Sequence, residues 1–408
     1  MNGTATFSDF CELVTQQINP TEVDEEVVYL GLEHLGPGRM RPVAIGRASE
    51  VQSQKFAFRS GDVLYSKLRP YLDKAILAET NGVCSTELLV FRPRPGVDPR
   101  FLACLVHAPD FVEHAMSGVT GANHPRTSWQ HVSQFPVLSL DEQEQRTNGE
   151  ILWRVHDLMI ACESSEHTAQ ELKRAAMREI FTRGIRDEPL KETEIGLVPE
   201  SWIVDPLGAH HSLVSGGTPS RSNPDFWVGG TIPWVKTGEV DYCLITQTEE
   251  NITPYGLENS AARLLPVGTL LMAMYGQGMT RGKVAILGIE ATCNQASAAI
   301  TANDNSVLTR YLYHFLAWRY EAIRSMAHGG QQQNLNLDIV RDLLLAYPRA
   351  AEEQEEIVAI FDVLDRKIEL HRKKRAVLEE LFRTLLHELV TGEIRLNERD
   401  LTTLAAGE

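Results

Sequence analysis

Two stretches of the chain carry apolar residues at helical spacing. In the first, Ile151, Leu152, Val155, Met159, Cys162, Ala169, Leu172, Ala176 and Ile180 recur every three or four positions. The second is more regular: Ile357, Ile360, Phe361, Leu364 and Ile368, then Leu378, Leu381, Leu385 and Leu389. Arg366, Lys367, Arg372–Arg375, Glu379 and Glu380 fall mostly off that line. From Glu142 to about Arg183 proline is absent and Gly149 is the single glycine. About 40 residues at about 1.5 Å each predict helices roughly 60 Å long. Two such helices with matching stripes are expected to pack as an antiparallel coiled coil, with Ile151, Val155, Leu172, Ile360, Leu364, Leu381 and Leu385 among the packing residues. Residues 1–140 and 196–348 differ in pattern. Short β-rich runs, such as Val27–Leu32, Asp62–Ser66 and Glu87–Arg92, alternate with Gly/Pro punctuation, and helices are expected near Arg100–Val106 and Asp110–Met116.

The two helical stretches are copies. Glu144–Arg186 reappears as Glu353–Arg395 without a gap: Glu144-Gln145 aligns with Glu353-Gln354, Glu171-Leu172 with Glu380-Leu381, and Ile185-Arg186 with Ile394-Arg395. Fainter echoes link the flanking regions, where Gly61-Asp-Val-Leu64 matches Gly268-Thr-Leu-Leu271, Lys74 matches Lys283, and Cys84 matches Cys293. Two copies make an internal pseudo-dimer rather than a solenoid. The expected segments are a globule (1–140), a helical spacer (141–195), a second globule (196–348), a distal helix (349–398) and a frayed tail (399–408).

Composition narrows the class. With 408 residues the chain is too long for one ordinary domain. Its six cysteines show no CxxC pair or zinc spacing, so reduced thiols in the cytoplasm are expected. The N-terminal residues lack the pattern of a signal peptide, and no apolar run is long enough to span a membrane. The net charge of −16 is spread evenly, which runs against the usual sign for a nucleic-acid binder.

Candidate chemistry is sparse. Gly216-Gly217-Thr218-Pro219-Ser220 lacks the Gly-Lys-Ser/Thr ending of a phosphate loop and reads as a tight turn. His210-His211 has no third ligand at helical spacing, so no metal site is expected. No nucleophile elbow, methyltransferase, nuclease or helicase motif is present, and no catalytic residue is expected. Cations and amides do cluster in loops. In the first globule these are Lys67, Arg69, Lys74, His124 and Arg126; in the second, Arg221, Lys236, Arg281, Lys283 and the run Gln331-Gln332-Gln333-Asn334. Arg and Lys suit guanine edges and phosphates, and Gln and Asn suit adenine edges; any one of these residues alone reads as solvated loop polarity, and their clustering in both globules makes them candidate nucleic-acid contacts.

The strings Gly216-Gly-Thr-Pro-Ser-Arg-Ser-Asn-Pro-Asp-Phe-Trp227, Ile232-Pro-Trp-Val-Lys-Thr-Gly238 and Ile195-Gly-Leu-Val-Pro-Glu-Ser-Trp202 closely resemble the opening of a target recognition domain. Gly282-Lys-Val-Ala-Ile286, Cys293-Asn-Gln295, Gln333-Asn-Leu335 and Leu389-Val-Thr-Gly392 fit the same pattern. The chain thus resembles the DNA specificity subunit of type I restriction-modification systems over essentially its whole length. The first globule departs more, keeping only Gly61-Asp-Val-Leu64, Lys74, Ser85-Thr86 and Leu88–Pro93. The resemblance implies an α+β chain with two mixed α/β recognition domains separated by two long paired helices. Each domain would read one half of a bipartite site on double-stranded DNA. It further implies two modification subunits carrying S-adenosylmethionine, and restriction subunits using ATP and Mg²⁺, with no cofactor in this chain. A rival reading is a structural adaptor that clamps two copies of a partner and reads no DNA, and the acidic balance suits it. A nuclease or methyltransferase acting alone is disfavoured by the missing motifs.

Overall fold

The computed structural model describes residues 4–276, 279–326 and 334–395. The chain forms two compact units, 1–165 with 371–408, and 166–370. Each unit therefore takes one globule and half of each long helix. The long helices run over Glu142–Arg183 and Ala351–Thr391. Among the described residues no helix is long and apolar enough to cross a membrane.

In the first unit, strand Thr4–Thr6 pairs with Pro136–Leu138 and closes the globule. A four-stranded antiparallel sheet follows in the order Cys11–Val14, Leu88–Pro93, Val63–Ser66, Ala75–Leu77. A second sheet contains Val28–Leu30 and Gly82–Cys84 as parallel neighbours. Helices Pro99–Leu105 and Pro109–Ser117 cover the four-stranded sheet. Asp98 caps the first of these, accepting from the Phe101 amide at 2.9 Å, while Pro99 occupies its first turn, where no amide donor is needed. The core is aromatic: Phe7, Phe91, Phe111 and Tyr65 pack ring on ring. Leu152, Trp153, Leu386, Leu389 and Val390 of the long helices join it.

The second unit repeats this plan. Ile203–Pro206 pairs with Leu344–Tyr347. The main sheet runs His211–Ser215, Ser297–Ala302, Leu270–Ala273, Val284–Leu287, Leu244–Ile245. The smaller sheet again has a parallel pair, Ile232–Val235 beside Thr292–Cys293. Helices Thr309–Trp318 and Tyr320–Met326 follow. Phe181, Tyr311, Phe315 and Phe361 form the aromatic centre of the core.

Helix pairing is antiparallel in each unit. In the first, Glu144 meets Arg395 (3.3 Å) and the His156 ring lies 6.1 Å from that of Phe382. In the second, Lys173 bonds Asp365, the Phe181 ring lies 5.3 Å from that of Phe361 and Arg186 bonds Glu356 at 2.7 Å. Partner numbers fall along one helix as they rise along the other. Of the expected packing residues, Ile151 and Val155 are buried, and Leu364 and Leu385 are partly buried against the cores. Leu172, Ile360 and Leu381 are not: they are 55%, 40% and 43% exposed. The buried line runs instead through Ala169, Lys173 and Met177, through Ile357, Phe361 and Leu364, and through Phe382, Leu385 and Leu389. Each exposed residue sits beside that line, rotated by about 100° around the helix. Gly149 lies where the first long helix meets the start of helix Pro99–Leu105; a β-carbon there would stand 2.8 Å from the Phe101 amide nitrogen.

The aligned glutamines explain why the helix openings match. Gln145 accepts from the Asp98 amide (3.2 Å) and donates to the Leu140 carbonyl (2.9 Å). Gln354 accepts from the Leu308 amide (2.9 Å) and donates to the Ser306 and Pro348 carbonyls (2.7 and 2.9 Å). Asp98 and Leu308 are the N-caps of the equivalent helices, and both glutamines are buried. One residue type fastens the globule to the helix in both units.

Candidate nucleic-acid interface

In the second unit the recognisable strings converge on one turn, Cys293-Asn294-Gln295-Ala296. The Gly217 amide donates to the Cys293 carbonyl at 2.8 Å, and the Thr218 hydroxyl bonds Gln295. The Asn294 amide donates to the Val235 carbonyl, and its side chain accepts from the Thr237 hydroxyl at 2.8 Å. Met274 donates its amide to the Ala296 carbonyl, and Leu335 donates in turn to the Met274 carbonyl. Both glycines are required by close approach. A β-carbon on Gly216 would stand 2.2 Å from the Cys293 carbonyl oxygen, and one on Gly217 would stand 2.3 Å from the Ala261 backbone. Gly-Gly-Thr-Pro-Ser is thus the means by which a loop packs flat against this turn.

The turn gathers the candidate side chains at one end of the sheets. The Arg221 guanidinium lies over the Trp227 ring (3.7 Å) and near that of Trp234 (4.7 Å). The Trp234 indole is itself fixed by a 2.9 Å bond to the Gly217 carbonyl. Arg221 also bonds Glu250, whose other oxygen lies 2.6 Å from Lys236 Nζ; Glu249 approaches Lys236 at 2.9 Å. Hydrogen bonds from Lys236 and Arg221 hold the Glu250 carboxyl below its usual range, and the two glutamates push the Lys236 ammonium up. Lys283 opens the strand facing Ala273 and bonds Asp241 at 2.6 Å. Asn334 is exposed next to Leu335, and so lies at the same end. Arg281 differs from expectation, being only 9% exposed; the Gly282 turn beside it packs over Tyr320 and Ile323 and draws it inward. Gln332 lies outside the described residues.

The first unit holds an equivalent turn at Cys84-Ser85-Thr86-Glu87, 209 positions earlier. The Ser85 amide donates to the Leu30 carbonyl, as Asn294 does to Val235. Lys67 donates its amide to the Glu87 carbonyl and its ammonium to the Thr86 carbonyl (2.8 Å). Arg126 is exposed and pairs with Glu87 at 2.9 Å. Arg69 is tied to this loop through the Pro125 carbonyl (2.7 Å) and adopts a left-handed backbone, φ 52°, unusual for a side chain of its size. Lys74 donates to the Leu32 carbonyl at 2.9 Å, whereas its counterpart Lys283 meets the Asp241 carboxylate. Asp73 and Gly282, which precede these lysines, are both left-handed, at 47° and 90°. Lys67, Arg69 and Arg126 are brought together; Lys74 is held against the Leu32 carbonyl instead.

The sequence reading missed the carboxylates. Glu87, Glu249 and Glu250 decide what the cations meet, yet a search for cations alone passes over them. Glu250 stands opposite Trp234 in the strand register, so a glutamate facing an aromatic across a strand pair was the available signal.

One further cluster was unforeseen. His314 is fully buried, 3.1 Å from Asp362 and 4.0 Å from Asp365, a grouping able to hold a metal ion. Arg310 already bonds Asp362 (2.8 Å), and Lys173 bonds Asp365. The carboxylates therefore carry protein cations, and the cluster fits an ion-pair joint between the globule and the helices better than a metal site. Burial pushes the His314 imidazole down against the opposing Asp362 bond.

A repeated α+β recognition fold carried on paired helices is the class these features define. Residues 209–380 match the family described as Type I restriction modification DNA specificity domain. The MjaIX specificity subunit of Methanocaldococcus jannaschii is 29% identical over 47% of this chain and 44% of its own. The EcoR124I/EcoR124II specificity subunit of Escherichia coli is 27% identical over 43% and 46%. The chain thus spans about half the length of these two relatives. The putative MjaX specificity subunit of M. jannaschii is 21% identical over 95% of this chain and 92% of its own. The S subunit of a type I restriction-modification system from M. genitalium shares the fold, with a TM-score of 0.65 at 13% identity over 95% and 96% of the two chains. A chain from a type I system solved for its complex assembly and conformational transition also shares it, with a TM-score of 0.56 at 18% identity over 96% and 98%. The chain is thus similar to specificity subunits of type I restriction-modification systems, by its domain over residues 209–380 and by its fold over nearly its whole length.

Proposed function

We propose that this chain is the non-catalytic DNA-recognition subunit of a type I restriction-modification complex, active in the cytoplasm in defence against phage. The observation that carries the reading is the repeated turn. Each unit ends its sheets in the same backbone device, and each device gathers cations: Lys67, Arg69 and Arg126 in one, Arg221, Lys236 and Lys283 in the other. Two such heads suit the two halves of a bipartite duplex site, and the long helices set the spacing of those halves. Phosphate contacts position a reader while base edges specify the sequence.

Two modification subunits supply S-adenosylmethionine and adenine methylation, and restriction subunits supply ATP- and Mg²⁺-dependent translocation and cleavage. The repeat itself suggests where symmetric partners dock: Leu172 and Leu381 are equivalent positions, and both are exposed. Partner subunits also provide most of the positive charge that this acidic chain lacks, so the isolated chain binds DNA weakly and with steep salt dependence. The adaptor reading draws on the pairing of its cations with carboxylates, but it gives no reason for two repeated, cation-bearing turns. Genome-wide mapping of methylated adenines in cells with and without the chain tests the assignment. A bipartite methylated motif that disappears with the chain is expected; an unchanged methylation pattern contradicts it.

A further inference from the structure

We infer that Glu250 acts as a built-in stand-in for a DNA phosphate: it occupies Arg221 and Lys236 until a correct site displaces it, and so suppresses binding to unrelated sequence. The inference rests on the recognition reading above and concerns the same surface. One carboxylate bridges two cations, bonding Arg221 through one oxygen and Lys236 through the other at 2.6 Å. The arrangement is ordered rather than a chance surface pair. Arg221 is held over Trp227, and Trp234, directly across the strand from Glu250, is pinned by Gly217. The Lys236 amide donates to Glu239 Oε2 and the Glu249 amide to Glu239 Oε1, which fixes the lysine turn against the glutamate strand.

The consequence follows from counter-ion release. Non-specific affinity for a duplex comes from cations that neutralise phosphates, at about 0.9 of log–log salt slope per contact. A cation already neutralised by its own chain gains little by exchanging a carboxylate for a phosphate. Only a site that adds base contacts makes the exchange favourable, so Glu250 lowers background binding more than cognate binding. Arg126 with Glu87 is a one-cation version of the device in the first unit.

The test uses the assembled complex and two duplexes, one bearing the motif found by methylation mapping and one scrambled, titrated over a range of salt. Glu250→Gln keeps the shape and removes the charge. It is expected to bind the scrambled duplex roughly three- to tenfold tighter at low salt, with a slope steeper by about 0.9 per cation released. The ratio of cognate to scrambled affinity falls. Glu249→Gln, which touches only Lys236, is expected to give the smaller change. Unchanged or weaker binding of the scrambled duplex by Glu250→Gln overturns the inference while leaving the recognition reading intact. A wild-type complex that binds neither duplex overturns both.

Discussion

The joint between globule and long helices is built on equivalent positions in the two units, and the two joints share almost no chemistry. In the second unit it is ionic: Arg310 and His314 of the globule meet Asp362 and Asp365, with Lys173 completing the set. In the first, Arg100 stands where Arg310 does, but it lies over the Trp153 ring, the equivalent of Asp362. Arg41 also covers Trp153, and His156 takes the place of Asp365. What both joints keep is the glutamine clip and the turn at the sheet ends. The lesson is a separation of duties. Backbone-directed hydrogen bonds hold the plan, and that leaves the side chains between them free to diverge.

The comparison can be broken most forcefully at the helix stripe. Phe361 is fully buried, whereas its neighbour Ile360 is 40% exposed. Phe361→Ala is expected to cost about 3–5 kcal/mol in denaturant unfolding, and Ile360→Ala no more than about 0.5 kcal/mol. Equal costs would mean that the stripe is wrongly placed. Next come the clips. Gln354→Ala leaves one amide and two carbonyls without their partner, an expected loss of roughly 2–4 kcal/mol. Gln145→Ala leaves one of each and is expected to cost less. The reverse order would deny that the clips do the same work in proportion to their bonds.

A further loss is set by pH and concerns His156. Burial pushes the His156 imidazole down to about 4, so in the folded chain it stays neutral over mildly acidic pH. The unfolded chain takes up the proton near pH 6.5, so stability is lost as pH falls below that value. Between about pH 7 and about pH 5 the loss is on the order of 2 kcal/mol. His156→Gln is expected to flatten this part of the stability profile; an identical pH dependence in the variant would show that the buried histidine plays no part.

The helices were legible from the sequence because long, uninterrupted periodicity has few other readings. The first long helix has the bounds expected of it, Glu142–Arg183. The stripe was harder: Ile360, Leu381 and Leu172 are apolar and correctly spaced, and only packing shows that they point away from it. The kinship of the globules was nearly hidden. Its structural roles fall on backbone groups, so the Leu32 carbonyl and the Asp241 carboxylate serve equivalent lysines without any likeness of residue. The candidate site was half legible. Lys67, Arg126, Arg221, Lys236 and Lys283 lie at the two turns, whereas Arg281 is drawn inside and the carboxylates that govern the cations carried no motif.

The central claim is that each unit reads its own half of the site. The direct measurement is to replace residues 203–340 with those of a related specificity subunit and to map methylated adenines genome-wide. The account predicts a new motif in which one half changes while the other half and the spacer length are retained. A motif altered in both halves, or in neither, contradicts it.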